Sequence, residues 1–511
     1  MKGKSLVFAV LLLGSTAMAR ADDMPAKGGE GKPKAEVPKS EQSATQHTLV
    51  IDGKSIAYTA TAGTLIVRNA KDEPVASVGY TAYVKKDGDV TSRPIMFAYN
   101  GGPGSSSLWL HMGALGPRRV VTVDSGPTPP PPYDVVDNNW SVIDKTDLVM
   151  IDPVGTGLSR AVGEAKDKDF WGVDQDIESV SRFIKEYVST NGRWRSPKFL
   201  LGESYGSTRS GGIAKYLETN ENMGLNGVIL VSVALDIEAI FGWPGNDRPY
   251  PLILPSFAAV AALHKALPSP PGELEPFLKE VRAFALGEYS AALAKGDRIS
   301  DSERDALAEK LHRYTGLSAD YWKRANLRVR ESEFTQELLR DKREVVGRLD
   351  GRFLGRSYDA LGKQADYDPQ SAAISAAFTS AFLDYLHNDL KFGDGKTYKV
   401  SNDEIGGLWD WKHNSGWFVA SPTPNTGLDL GQAMVYNPNL RVLVLNGLYD
   451  LATPFFATES MIDHLGLPAD LRSHVEMKYY PAGHMMYLHE PSLKAWKADI
   501  AAFIDSTTRK P

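Results

Sequence analysis

The chain has 511 residues, 42% hydrophobic and 23% charged, an ordinary globular composition long enough for one large α/β domain with an insertion or for two or three domains. Its net charge of −6, from 57 basic and 63 acidic residues, lacks the basic excess that a nucleic acid or a membrane surface would select. It has no cysteine, which excludes disulfides, thiolate metal sites and a cysteine nucleophile.

Residues 1–21 read as a signal peptide. Lys2 and Lys4 form a basic start, the apolar core FAVLLL lies within Ser5 to Gly14, and Ala17-Met18-Ala19-Arg20-Ala21 offers cleavage after Ala19 or Ala21. The apolar run is too short to span a bilayer. Export without any cysteine is ordinary for a bacterial protein, so the expected location is the periplasm or, alternatively, the external medium, with no membrane contact once the signal is cleaved. Residues 22–46, rich in Lys, Glu, Pro, Gly and Ala, read as a disordered linker, with order beginning near His47.

From His47 to about Lys86 come four short β-type runs, HTLVI, SIAYTA, TLIV and SVGYTAYV, the pattern of an antiparallel sheet edge. Then the pattern changes. PIMFAY (94–99), DLVMID (147–152), KFLLG (198–202), GVILVSVAL (227–235) and RVLVLNG (441–447) are nearly continuous apolar runs, as parallel strands buried on both faces require. Helical stretches such as Val173–Ser189 separate several of them, so the sheet is α/β. The last strand expected is Val475–Tyr480. Between about 240 and 425 the rhythm breaks into helical segments, Glu273–Leu286, Ser302–Tyr314 and Ser371–Leu386 among them. In the last, Ile374, Phe378, Phe382 and Leu386 share one face. This reads as a helical insertion in a single domain spanning 47–511. The proline run Pro129–Pro132 reads as a rigid loop.

Three signals carry chemistry. Gly202-Glu203-Ser204-Tyr205-Gly206 matches G-x-S-x-G directly after the run KFLL and before a segment able to be helical, the setting of a nucleophile elbow. Asn100-Gly101-Gly102-Pro103-Gly104 follows PIMFAY, and glycines there let backbone N–H groups approach a developing oxyanion. The order Ser, Asp, His then places Asp450 just past RVLVLNG and His484 in Ala482-Gly483-His484-Met485, after VEMKYY. His489 is the rival base. Gly483, suited to a tight turn off the strand, favours His484. The arrangement predicts an α/β-hydrolase with Ser204, Asp450 and His484 as triad, the N–H of Tyr205 and one from the Asn100–Gly104 loop as oxyanion donors, and no cofactor. There is no H-E-x-x-H and no dinucleotide fingerprint. Pro491 in His489-Glu490-Pro491 is expected to break any helix a zinc motif would need.

Together NGGPGSSS, DPVGTGLS, GESYG, NGLYD and AGHM resemble the serine carboxypeptidase family, from about Tyr80 to the end and most weakly in the helical insertion. The resemblance implies an exopeptidase acting on a peptide substrate, often best at acidic pH, with Ser204 as nucleophile, His484 as base, Asp450 as its orienter, and Gly102 and Tyr205 as the oxyanion donors. It also implies that Asn100 and Glu203 hold the substrate's terminal carboxylate, with Gly101 and Met485 in the same binding set. A carboxylate at Glu203 can donate a hydrogen bond only when protonated, which would explain a preference for acid. The chain departs from the family pattern at Ala114, where a glutamate usually pairs with the elbow glutamate, at Ser105, which replaces a cysteine, and in a DPVGTG segment one residue shorter than usual. Arg118 and Arg119, just beyond Ala114, are candidates to bind the carboxylate instead. Esterase or acyltransferase chemistry would use the same triad, and an inactive peptide-binding relative would have been expected to lose a triad member. Nothing in the sequence bears on oligomeric state.

Overall fold

In the computed structural model, which describes residues 37–87, 89–416 and 420–508, the apolar runs pair into one twisted sheet. The signal peptide and most of the proposed linker lie outside the described residues. The strands are β1 (Gln42–Ile51), β2 (Lys54–Arg68), β3 (Pro74–Lys85), β4 (Ile95–Tyr99), β5 (Asp147–Ile151), β6 (Lys198–Glu203), β7 (Gly227–Val231), β8 (Arg441–Gly447) and β9 (Val475–Tyr480). They lie in the order β1-β2-β3-β5-β4-β6-β7-β8-β9, and Arg160–Ala161 adds a short pairing to β3. The first three pair antiparallel and β3 meets β5 antiparallel. From β5 to β9 every pairing is parallel.

The N-terminal edge differs from expectation in two ways. β1 begins at Gln42, so the last residues assigned to a linker form a strand. Their polar side chains suit an edge with one wet face, and pairing with β2 satisfies the backbone. SIAYTA and TLIV join through Gly63 into the single strand β2. A Cβ on Gly63 would come 2.6 Å from the carbonyl oxygen of Glu41, so only glycine lets the two strands approach there.

The central strands send alternate side chains to two cores. In β4, Ile95, Phe97 and Tyr99 enter one and Met96 and Ala98 the other; in β8, Val442 and Val444 enter one and Leu443 and Leu445 the other. Full burial of such side chains stabilises by roughly 1.5–3 kcal/mol each. The first core is covered by α1 (Val173–Thr190) and α2 (Tyr205–Asn220). Between β7 and β8 the chain leaves the sheet and forms α3 (Pro249–Leu263), α4 (Leu274–Phe284), α5 (Asp301–Thr315), α6 (Pro369–Asp384) and α7 (Gly427–Tyr436), the last of which returns to pack on α2. On α6, Ile374, Phe378 and Phe382, with Leu386 just beyond, are buried in the second core as one face. After β8 come α8 (Phe455–Asp463) and, closing the second core, α9 (Glu490–Thr508). Pro491 lies in the first turn of α9, where its missing N–H costs no hydrogen bond, so this segment opens a helix instead of breaking one.

The strand order reverses beside β4. The chain passes from β4 to β5 on one side, then crosses back to β6 on the other. Loops leaving the carboxyl ends of β4 and β6 therefore diverge and open a crevice between them, the usual place for a ligand in an α/β sheet.

Candidate active site

Ser204 occupies that crevice on the turn between β6 and α2. Its backbone is held at φ 60°, ψ −128°, a region that non-glycine residues rarely adopt. The surroundings enforce it. The Ser204 N–H donates to the Val231 carbonyl at 2.9 Å, and the Ser204 carbonyl accepts from the Ser207 N–H at 2.8 Å. The flanking glycines are sterically required: a Cβ on Gly202 would lie 2.1 Å from the Gly206 carbonyl oxygen, and one on Gly206 would lie 2.9 Å from that of Tyr99. The turn thus lifts the serine off the sheet by packing that no other residue at 202 or 206 permits.

The loop after β4 lies against this turn. A Cβ on Gly101 would come 2.5 Å from the Tyr205 nitrogen, and Gly102 has φ +108°. Backbone from both loops therefore converges beside Ser204, as an oxyanion site needs. The loop is braced from behind. Half-buried Asp152 accepts from the Ser107 N–H at 2.8 Å and the Tyr398 hydroxyl at 3.2 Å, and desolvation raises its pKa to about 6.

Asp450 and His484 sit on the turns after β8 and β9. The Asp450 carboxylate is fully buried, and its Oδ2 lies 2.8 Å from His484 Nδ1. It also accepts from the N–H groups of Ala452 (2.8 Å) and Thr453 (2.9 Å) and from the Thr453 hydroxyl (2.7 Å). Burial alone would lower the pKa of His484, but the charge and hydrogen bond of Asp450, with Glu203 beyond, hold it above its ordinary value. His489, the rival base, is half-buried and pairs with the Ser492 hydroxyl at 2.7 Å, away from the crevice.

Glu203, one residue before Ser204, is 2% exposed. Its Oε1 accepts from Asn100 Nδ2 at 2.8 Å, and the Asn100 Oδ1 accepts from the Leu110 N–H at 2.9 Å, which fixes the amide's orientation. Burial raises the Glu203 pKa to about 7, against the opposing pull of His484. Asn100, Gly101, Gly102, Glu203, Ser204, Tyr205, His484 and Met485 all line one cavity of about 360 Å³, with Asp450 behind His484. Its apolar wall comes from Trp109 and from Ile237, Ile240, Phe241 and Trp411 of the excursion between β7 and β8.

Arg118 and Arg119 are not in this cavity. Arg118 pairs with Asp137 at 2.5 Å in a short hairpin, and Arg119 pairs with Glu490 at 3.3 Å and covers Trp140. Among the described residues the cationic side chain on the lining, apart from His484, is Arg348. Three further residues at the site went unread in the sequence. Thr453 had a local signal, since a threonine three residues after an aspartate readily caps the same turn. Arg348 and Tyr487 had none, because long-range packing alone places them.

Residues 70–235 match the serine carboxypeptidase family model, a stretch that holds the Asn100 loop and the Ser204 turn and ends before Asp450 and His484. No curated protein matches the chain. Similar solved structures include proline iminopeptidase from Mycobacterium smegmatis, at 16% identity over 87% of this chain and 98% of that one with a TM-score of 0.37. A carboxyl esterase from Bacillus coagulans in complex with glycerol is similar at 12% identity over 88% and 99% with a TM-score of 0.35. Over residues 70–235 the chain is therefore similar to the serine carboxypeptidase family, and the sheet order with the turn at Ser204 is that of the α/β-hydrolase fold.

Proposed function

We propose that the protein is a serine carboxypeptidase, releasing the C-terminal amino acid of a peptide through an acyl-enzyme on Ser204. The observation that carries this reading is the buried Glu203 carboxyl, held by Asn100 in the cavity that also contains Ser204 and His484. A carboxyl that stays protonated up to about pH 7 can donate to a substrate carboxylate, and an amide from Asn100 beside it adds a second donor.

On this reading Ser204 Oγ attacks the last peptide carbonyl while His484 takes its proton. Asp450 keeps the imidazole in the tautomer with Nδ1–H inward and stabilises the imidazolium. The N–H groups of Gly102 and Tyr205 receive the oxyanion. His484 then returns the proton to the departing amine, and water, activated by the same imidazole, releases the shortened peptide. The signal peptide would place this chemistry in the periplasm or outside the cell.

Ala114 favours a second reading, a serine esterase or acyltransferase, because half of the family's carboxyl pair is missing. One experiment separates the two. A blocked dipeptide is offered as free acid and as amide from pH 4 to 8, with Ser204→Ala as control. Cleavage of the acid alone, falling as the pH rises through about 7 where Glu203 ionises and lost in the variant, supports the carboxypeptidase. Equal turnover of both forms, or turnover of simple esters only, rejects it.

A further inference from the structure

Glu203 has one carboxyl oxygen with a partner and one without. Oε1 takes the Asn100 amide hydrogen, whereas Oε2 is buried and has no hydrogen bond among the described residues. The same is true of the Tyr487 hydroxyl. Tyr487 is 3% exposed, on the short helical turn Met486–Leu488 that follows His484, and its hydroxyl lies beside the Glu203 carboxyl. Its ring is seated on Gly113, where a Cβ would come within 2.5 Å of the ring. The neighbouring Ala114 is the position at which the family carries a second carboxyl. Two buried polar atoms left without partners, one at the end of β6 and one on the turn after β9, are each costly, and each is the natural partner of the other.

We propose that Tyr487 is the positioning residue for Glu203, its hydroxyl being the group against which Glu203 Oε2 is held until a substrate carboxylate arrives. With Glu203 neutral, the acid O–H rests on the phenol oxygen. When the substrate carboxylate enters, that O–H swings into the cavity and no proton leaves Glu203. With Glu203 ionised, the phenol O–H donates to Oε2 instead. A tyrosyl hydroxyl can serve both states, since it donates and accepts. The proposal rests on the carboxypeptidase reading of Glu203.

The groups facing Glu203 are Asn100 from the β4 loop, His484 and Tyr487 from the β9 turn, and Asp450 from the β8 turn. Of these, Tyr487 favours the ionised carboxylate through its O–H, so removing the hydroxyl should move Glu203 ionisation upward.

The test is kcat/KM against pH for a blocked dipeptide as free acid and as ester, with wild type and Tyr487→Phe. For the free acid, the basic limb should move up by about half to one unit, a roughly three- to tenfold gain on that limb. KM at pH 5 should rise several-fold, because the carboxyl is no longer aimed. The ester, which brings no carboxylate, should keep its wild-type limbs. Incorporating a fluorinated tyrosine at 487 keeps the ring and strengthens the donor, and should move the basic limb down. It also provides the readout if the phenylalanine variant does not fold. In a Glu203→Gln background, Tyr487→Phe should leave the pH profile unmoved. An unshifted basic limb and KM, or equal losses on acid and ester, would overturn the proposal. Equal cleavage of free acid and amide by the wild type would instead overturn the carboxypeptidase reading beneath it.

Discussion

The main-chain N–H of His484 donates to the carbonyl oxygen of Leu349 at 2.6 Å. Leu349 belongs to the long excursion between β7 and β8, so a residue remote in sequence holds the backbone of the proposed base. The contact extends along a strip. The Leu451 N–H donates to the Arg348 carbonyl at 3.1 Å, and the Gly351 N–H to the Tyr449 carbonyl at 2.9 Å. Asp368 Oδ2 accepts the N–H groups of Arg348 (2.7 Å) and Leu349 (3.0 Å), anchoring the strip to the start of α6. The strip is wedged between the Asp450 and His484 turns and sets the spacing over which their side chains meet.

Gly483 is where the wedge is tightest. A Cβ there would lie 2.4 Å from both Cα and Cβ of Asp350, which is itself buried and paired with Arg352 at 2.7 Å. Gly483→Ala should push the His484 turn away and lower kcat by on the order of 100-fold, the scale of an ångström-sized misplacement. Steady-state kinetics beside far-ultraviolet circular dichroism checks it. Wild-type turnover in a folded variant would show that the wedge does not set the site.

Asp450→Asn keeps the size of the side chain but offers an amide where His484 Nδ1–H needs an acceptor. On the proposed mechanism kcat should fall on the order of 10⁴-fold. Thr453→Ala removes one donor of several to the same carboxylate and should cost roughly ten- to a hundredfold. The ranking of the two variants, measured on one substrate, tests whether Asp450 acts as the orienting acid.

Glu203→Gln replaces a group that ionises near pH 7 with one that stays neutral and can still donate. For free-acid peptides, the fall in kcat/KM as pH rises through that region should disappear. The ionised carboxylate also raises the His484 pKa, so its removal should lower that pKa. Catalysis needs neutral His484, and the acidic limb should therefore move to lower pH. A pH–rate profile unchanged on both limbs would remove Glu203 from substrate binding.

Arg118→Ala and Arg119→Ala should leave KM for free-acid peptides unchanged, because both arginines pair outside the cavity. Arg348 lines it and meets an acidic partner only at 3.9 Å, from Glu331. Arg348→Ala should reduce the preference for a glutamate over a glutamine beside the scissile bond by roughly two- to fivefold, the range of a partly exposed ion pair. Competition between the two peptides gives the ratio directly.

How much of this was legible before the structure depends on the range of the forces involved. β4, β6 and β8 announce themselves because a strand buried on both faces must be apolar at nearly every position. Ser204 and its glycines are legible because a tight strand-to-helix turn permits few residues. β1 was misplaced at its start, since Gln42–Gln46 are polar and become a strand only by pairing with β2. Arg118 and Arg119 were good candidates by proximity along the chain, but their hairpin turns them toward Asp137 and Glu490.

Short-range chemistry thus decided the parallel strands, the elbow and the order of serine, aspartate and histidine, because steric and hydrophobic constraints act on each segment where it stands. Tertiary packing decided that Leu349 would hold His484, that Arg348 would be the cation in the cavity, and that Tyr487 would lie against Glu203. Those contacts join segments with no local reason to meet. Their positions follow only once the two cores close around the sheet and burial forces each polar group to find a partner.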